Sequence, residues 1–106
     1  MYTLEDYLAM VADGGRTEAY LGAMRAMIRP GDVVLELGTG FGYFAVQAAL
    51  MGARQVYAIE PEDAVAIGPE FAAANGVADR VRFLQGYSTR LDLPERADLL
   101  IEDMRG

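Results

Sequence analysis

Apolar and polar positions along the chain change period several times, from helical to extended and back. Leu4, Tyr7, Leu8 and Val11 recur at helical steps behind Thr3, a capping residue followed three positions later by Asp6; this predicts a first helix. Asp13-Gly14-Gly15 is expected to break it. Tyr20, Leu21, Met24, Met27 and Ile28 then share one face of a second helix over about 17–28. Beyond the Pro30-Gly31-Asp32 turn, 33–37 is almost continuously apolar, which predicts a strand buried on both faces. A helical stretch over 43–51 ends at Gly52, and 55–59 reads as the second strand. The segment 61–75 is helical in part. Gly68-Pro69 interrupts it, with Pro69 suited to a first helical position, and Asn75-Gly76 ends it. Third and fourth strands are predicted over 81–84 and 98–101.

Alternating strands and helices predict an α/β fold with a parallel, doubly wound sheet of four strands and helices on both faces. The two helices ahead of the sheet read as a cap or arm. The expected division is a helical arm over 1–29 and a Rossmann-like ligand-binding domain over 30–106.

The most informative stretch is VLELGTGFGYFAV, where the first strand passes into a helix through Gly38, Gly40 and Gly42. Glycines in such a turn let the backbone approach a ligand closely. The dinucleotide fingerprint spaces them G-x-G-x-x-G and seats a pyrophosphate on the helix N-terminus. Here the spacing is G-x-G-x-G, and Tyr43 stands where the third fingerprint glycine would be. Glu36, two residues ahead of the turn, would repel a pyrophosphate but suit an ammonium or sulfonium. Glu60 ends the second strand at the distance where doubly wound folds place a ribose-binding acid. The set fits a cationic, phosphate-free ligand such as S-adenosylmethionine. The plainer readings are a capping carboxylate at Glu36 and a solvated charge at Glu60.

Composition narrows the chemistry. The net charge is −7, from sixteen acids against nine basic residues, all of them arginine. Nothing in that balance concentrates positive charge against phosphates, so no nucleic-acid partner is expected; a cationic substrate is permitted. There is no Cys and no His, which removes disulfides, thiolate metal sites and the commonest metal ligand and general base; no metal site is predicted. No apolar run approaches the roughly 20 residues of a membrane span, and no secretion signal is seen, so no membrane partner is expected and the cytoplasm is the default location.

Over nearly its whole length the sequence resembles the class I S-adenosylmethionine-dependent methyltransferases, most of all the protein arginine methyltransferase branch and its bacterial relatives. VVLELGTGFG is similar to the family's glycine motif, GARQVYAIE to its second strand and ribose acid, and LPERADLLIED to the approach into its fourth strand. Met10, Asp13, Arg16 and Tyr20 match a spacing of the arginine methyltransferase N-terminal arm, and the resemblance implies that Arg16 holds the cofactor carboxylate. It also places Tyr87 and Ser88 near adenine, after the family's glycine at Gly86, though Thr89 stands where an adenine-contacting Glu is expected. Gly14-Gly15 departs from the arm's usual helix formers and implies a looser arm. Of the family's two guanidinium-gripping glutamates, the first corresponds to Glu102 or Asp103, and the second would lie beyond Gly106.

The resemblance therefore implies methyl transfer, most naturally to nitrogen and to protein arginine among other acceptors, with this chain as the cofactor-binding half. The family sheet has seven strands against four here, so the chain reads as a fragment or a half that needs a partner. An open, apolar fourth-strand edge predicts a homodimer. Two rivals belong to other classes: a nicotinamide-dependent oxidoreductase domain, against which Glu36 and Tyr43 speak, and a binding or assembly module without turnover.

Overall fold

The structure is a computed structural model that describes residues 14–86 and 93–102. Helix α1 spans Gly14–Met27, strand β1 Val33–Leu37, α2 Tyr43–Leu50 and β2 Gln55–Glu60. A short 3-10 helix over Asp63–Ile67 leads into α3, Gly68–Ala74, followed by β3, Val81–Gln85, and β4, Leu99–Glu102. The helix expected near 3–11 lies outside the described residues.

Three local expectations need adjustment. Helix α1 starts ahead of the expected position 17, with Gly14 and Gly15 in its first turn, while the expected end of the helix near 3–11 lies outside the described residues. Glycine costs most in a helix interior, whereas here it sits at an end. Further along, Leu21, Met24 and Ile28 are buried, and that packing outweighs weak local propensity. Met27, expected on the same buried face, is 57% exposed. It lies at the rim of a groove of about 160 Å³ between α1 and β4. The fourth strand also runs one residue later than expected, because its pairing with β1 extends to Glu102 opposite Leu37.

The four strands are parallel in the order β3-β2-β1-β4. Val34 stands level with Val56, Val81 and Leu99, and Glu36 with Ala58, Phe83 and Ile101. These positions share one face, and the apolar ones among them pack with Leu21, Met24 and Ile28 of α1, with Phe44, Ala45, Ala48 and Ala49 of α2 and with Ala72 of α3. Fully burying a Val or Phe side chain contributes roughly 1.5–3 kcal/mol, so this cluster is the main source of stability. The described helices thus gather on one face, and α1 belongs to the same core as the sheet. On the other face Val33, Tyr57 and Ile59 are buried, while Leu35, Leu37 and Leu84 are half-buried. The first strand is therefore less completely covered than its apolar run suggested.

The strand N-terminal end is tied down by its own loops. Asp98 and Val33 exchange two bonds: Asp98 N–H donates to Val33 O at 2.7 Å, and Val33 N–H donates to Asp98 Oδ2 at 2.8 Å. Arg54 Nη2 lies 2.6 Å from Glu95 Oε1, and the Tyr57 hydroxyl donates to Glu95 Oε2 at 2.8 Å. The bonds from Arg54 and Tyr57 hold the Glu95 carboxyl below its ordinary range. Burial, then the bond to Glu95, pushes the Tyr57 phenol up, and the Glu95 bond and charge raise the Arg54 guanidinium. No helix among the described residues is long and apolar enough to cross a membrane.

Candidate functional site

From β1 the chain winds outward to β2 and β3, then returns to add β4 on the opposite side of β1. The C-terminal ends of β1 and β4 therefore flank a topological switch point, the usual ligand crevice of an open parallel sheet. The glycine turn lies there. Gly38, Gly40 and Gly42 have φ of +74°, +62° and +98°, values that side-chain-bearing residues rarely adopt. Gly38 and Thr39 N–H both donate to Ile59 O, at 2.9 and 3.2 Å, which clamps the turn onto the end of β2. Gly42 N–H donates to Thr39 O at 3.0 Å, and Val46 N–H to Gly42 O at 2.9 Å, which starts α2.

Glu60 is the hub of this end. Its side chain is 3% exposed. Oε1 accepts from Gly40 N–H at 2.9 Å and Oε2 from Glu62 N–H at 3.0 Å, while its backbone oxygen accepts from Gly86 N–H at 3.0 Å. One carboxylate thus gathers the glycine turn and the start of the β2–α3 connection, and its backbone adds the end of β3. A carboxylate offers about four acceptor positions, so each oxygen keeps room for a further donor, such as a ribose hydroxyl. Glu60 is buried in the fold rather than a solvated charge at a strand end.

Glu36 points to the helix-covered face and is 1% exposed. The Thr39 hydroxyl donates to its Oε1 at 2.5 Å. Thr39 was missed from the sequence; a hydroxyl three residues beyond a strand-end acid, inside a glycine turn, was the available signal. Gly42 has a packing role as well as a conformational one. A Cβ there would come within 2.5 Å of Phe83 Cε1, and a Cβ on Gly68 would strike the same ring edge.

Glu102 is the last residue of β4 and is exposed. The Tyr20 hydroxyl lies 3.5 Å from its backbone oxygen, and the Tyr20 ring stacks on Phe44 at 5.1 Å between centroids. Arg16 lies in the first turn of α1, and its side chain is outside what is described. Tyr87, Ser88 and Asp103 lie outside the described residues. Glu36, Gly38, Gly40, Gly42, Glu60 and Glu102 thus all occupy the C-terminal edge of the sheet, on β1, β2, β4 and the turn after β1. Among the described residues no group of three or more His, Cys, Asp or Glu side chains is arranged to hold a metal ion.

A parallel sheet with this turn and this buried acid defines the Rossmann-like class, and the comparisons give the branch. The family profile described as ribosomal protein L11 methyltransferase (PrmA) matches residues 14–103, and the chain belongs to that family. It is 40% identical over 99 residues to protein arginine N-methyltransferase PRMT10 of Oryza sativa subsp. japonica, a match covering 92% of this chain and 26% of the relative. The structure is similar to protein arginine methyltransferase 10 of Arabidopsis thaliana, with a TM-score of 0.89 and 31% identity over 95% of this chain and 30% of that one. It is also similar to the Trypanosoma brucei PRMT1 enzyme–prozyme heterotetrameric complex with AdoHcy, with a TM-score of 0.86 and 29% identity over 92% of this chain and 31% of that one. The chain spans about a quarter of the length of several of the curated relatives it matches.

Proposed function

We propose that this chain is the cofactor-binding part of an S-adenosylmethionine-dependent methyltransferase acting on nitrogen, with protein arginine as the acceptor class. The observation that carries the reading is Glu60, a buried carboxylate bonded to the amide of Gly40 and left with acceptor capacity on both oxygens. Such a group suits an unphosphorylated ribose. Glu36 and Glu102 add negative charge along the same edge, which favours a sulfonium and a guanidinium and disfavours the pyrophosphate of NAD. The relatives named as arginine methyltransferases support the acceptor class.

S-adenosylmethionine, when bound, supplies a sulfonium-borne methyl that passes to a nucleophilic nitrogen as the S–C bond breaks and a thioether is left. The chain's own part is to bind and orient. Glu60 accepts from the ribose hydroxyls, and Gly38, Gly40 and Gly42 let the backbone come close. By the resemblance, Arg16 holds the cofactor carboxylate, Tyr87 and Ser88 lie by adenine, and Glu102 or Asp103 orients the acceptor cation. Fixing two reactants in line is worth a large share of a bimolecular barrier, about 7–11 kcal/mol at best, so positioning does most of the work.

Calorimetry with S-adenosylhomocysteine and with NAD tests the reading; tighter binding of NAD would overturn it. Methyl transfer to an arginine-bearing peptide, assayed with the 106 residues and with a longer chain, separates an enzyme from a binding module. Self-association belongs to the same proposal. Strand β4 is hydrogen-bonded to β1 and is last in the strand order, and Leu100 is 52% exposed beside the groove that Met27 rims. Light scattering at low micromolar concentration is expected to show a dimer, and a monodisperse monomer would refute that part.

A further inference from the structure

Gly68 opens α3, far in sequence from the glycine turn, and has φ −53°, an ordinary helical value. Its backbone has no need of glycine. What excludes a side chain there is Phe83 of β3, whose ring edge would collide with a Cβ. The same edge, with Cε1 as its nearest atom, stands against Gly42 at the end of the cofactor turn. Gly42 and Gly68 are both buried, and Phe83 packs against the core cluster from a half-buried position. One ring therefore lies against two glycines, one that starts α2 and one that starts α3.

We propose that Phe83 is a positioning residue for the cofactor turn: its ring seats Gly42 and couples the turn to the start of α3 through Gly68. A methyl group added at Gly68 must displace the ring edge, and the displaced edge is the one that holds Gly42. Gly42 N–H bonds Thr39 O, and Gly42 O receives Val46 N–H, so a shift at Gly42 moves both the turn and the first turn of α2. Interiors are close-packed, and a disturbance of this kind passes to the neighbour rather than dissipating. The affinity arm of the test rests on the cofactor reading above; the amide arm does not.

The test is a cycle of Gly68→Ala, Phe83→Leu and the double variant, read in two ways. The first is affinity for S-adenosylhomocysteine by calorimetry. The second is hydrogen exchange of the Gly42 amide in the ligand-free chain, with the Gly31 amide, bonded to Gly52 O at the opposite edge, as the control. Gly68→Ala is expected to weaken binding about fivefold or more and to speed exchange at Gly42 but not at Gly31, an effect in the range found for residues sharing one contact. The double variant, with a smaller and more adaptable side chain under the new methyl, is expected to bind more tightly than Gly68→Ala alone. A folded Gly68→Ala protein with unchanged Gly42 exchange overturns the proposal, as does a double variant no better than the single. Should Gly68→Ala fail to fold, Phe83→Leu alone decides: unchanged Gly42 exchange there also overturns it. If the unaltered chain does not bind S-adenosylhomocysteine, the cofactor reading fails, and the exchange measurements still decide the role of Phe83.

Discussion

The two edges of the sheet are built from the same materials and do opposite things. At the strand N-terminal edge, Arg54 and Tyr57 both bond Glu95, and Asp98 closes a two-bond ring with Val33. Every one of those contacts fixes a loop. At the C-terminal edge Glu60 also fixes loops, but among the described residues its two side-chain oxygens accept from backbone amides, those of Gly40 and Glu62, where the oxygens of Glu95 accept from side chains. The turn beside it carries three glycines at positive φ, where the backbone has no side chain to hold a neighbour off. One edge is a closed knot in which side chains bond side chains; the other is a frame in which a buried carboxylate holds backbone amides beside an open glycine turn. Charge alone does not make a site. The difference lies in where the carboxylate sits: Glu60 is buried beside a glycine turn at the switch point, whereas Glu95 is half-buried and paired with an exposed arginine.

The sharpest way to break this comparison is to remove the carboxylate at the open edge. Glu60→Ala is expected to weaken S-adenosylhomocysteine binding by about 1.5–3 kcal/mol, the usual worth of hydrogen bonds to a charged group. It should also lower stability, because the amides of Gly40 and Glu62 lose their acceptor, and a buried unsatisfied donor costs about 1–3 kcal/mol. Calorimetry and thermal melts read the two effects separately. Unchanged affinity in a folded variant would reduce Glu60 to a structural strut.

Glu60→Gln sharpens the same point with a smaller change. Both oxygens accept from backbone N–H groups, so an amide must turn its NH₂ against one of them. The isosteric variant is therefore expected to lose both affinity and melting temperature, each by less than the alanine variant. Full retention of both would mean that one of the two bonds carries no weight.

Much of this architecture was legible in the sequence, and the exceptions have physical causes. The parallel strands follow from short apolar runs separated by helical stretches, and the Gly68-Pro69 break appears as the junction of a 3-10 helix with α3. The early start of α1 was not legible, because the propensity of Gly14 and Gly15 is a local signal and the burial of Leu21, Met24 and Ile28 is not. Gly42 was legible as a turn glycine but not as a seat for Phe83, since that contact joins residues from three elements. Glu60 was legible as a strand-end acid at the right distance. Its bond to Gly40 N–H was not, because nothing in the spacing says that a strand-end carboxylate also holds the loop beside it.

At the closed edge the comparison predicts the reverse pattern of effects. Tyr57→Phe removes the hydroxyl that donates to Glu95 and should cost about 0.5–1.5 kcal/mol of stability, the net worth of a typical hydrogen bond, with no change in cofactor affinity. The pH dependence has a defined sign. Burial raises the Tyr57 phenol above its ordinary value of 10.0, so its contribution is fully present below that pH and is lost as pH rises through the raised value. The stability gap between the native chain and Tyr57→Phe should therefore narrow in alkali. A gap that widens there would reverse the argument.

The smallest effect is expected at Glu95, whose partner Arg54 is exposed, so solvent screens much of the pair. The bonds from Arg54 and Tyr57 lower the Glu95 carboxyl from its ordinary 4.5. A depressed carboxyl contributes stability above its unfolded value and loses it as pH falls through the folded one. The native chain should therefore melt slightly above Glu95→Gln near neutral pH, and the difference should shrink on acidification below about 4.5. Using the difference between the two proteins matters, because everything else in the chain is common to both and cancels in the comparison. Added salt should shrink the gap as well, since screening reaches an exposed pair. Cofactor affinity should be the same in both proteins at every pH where both are folded. A gap independent of pH would show that Glu95 acts by packing alone, and a fall in affinity would show that the two edges are not the separate devices their bonding suggests.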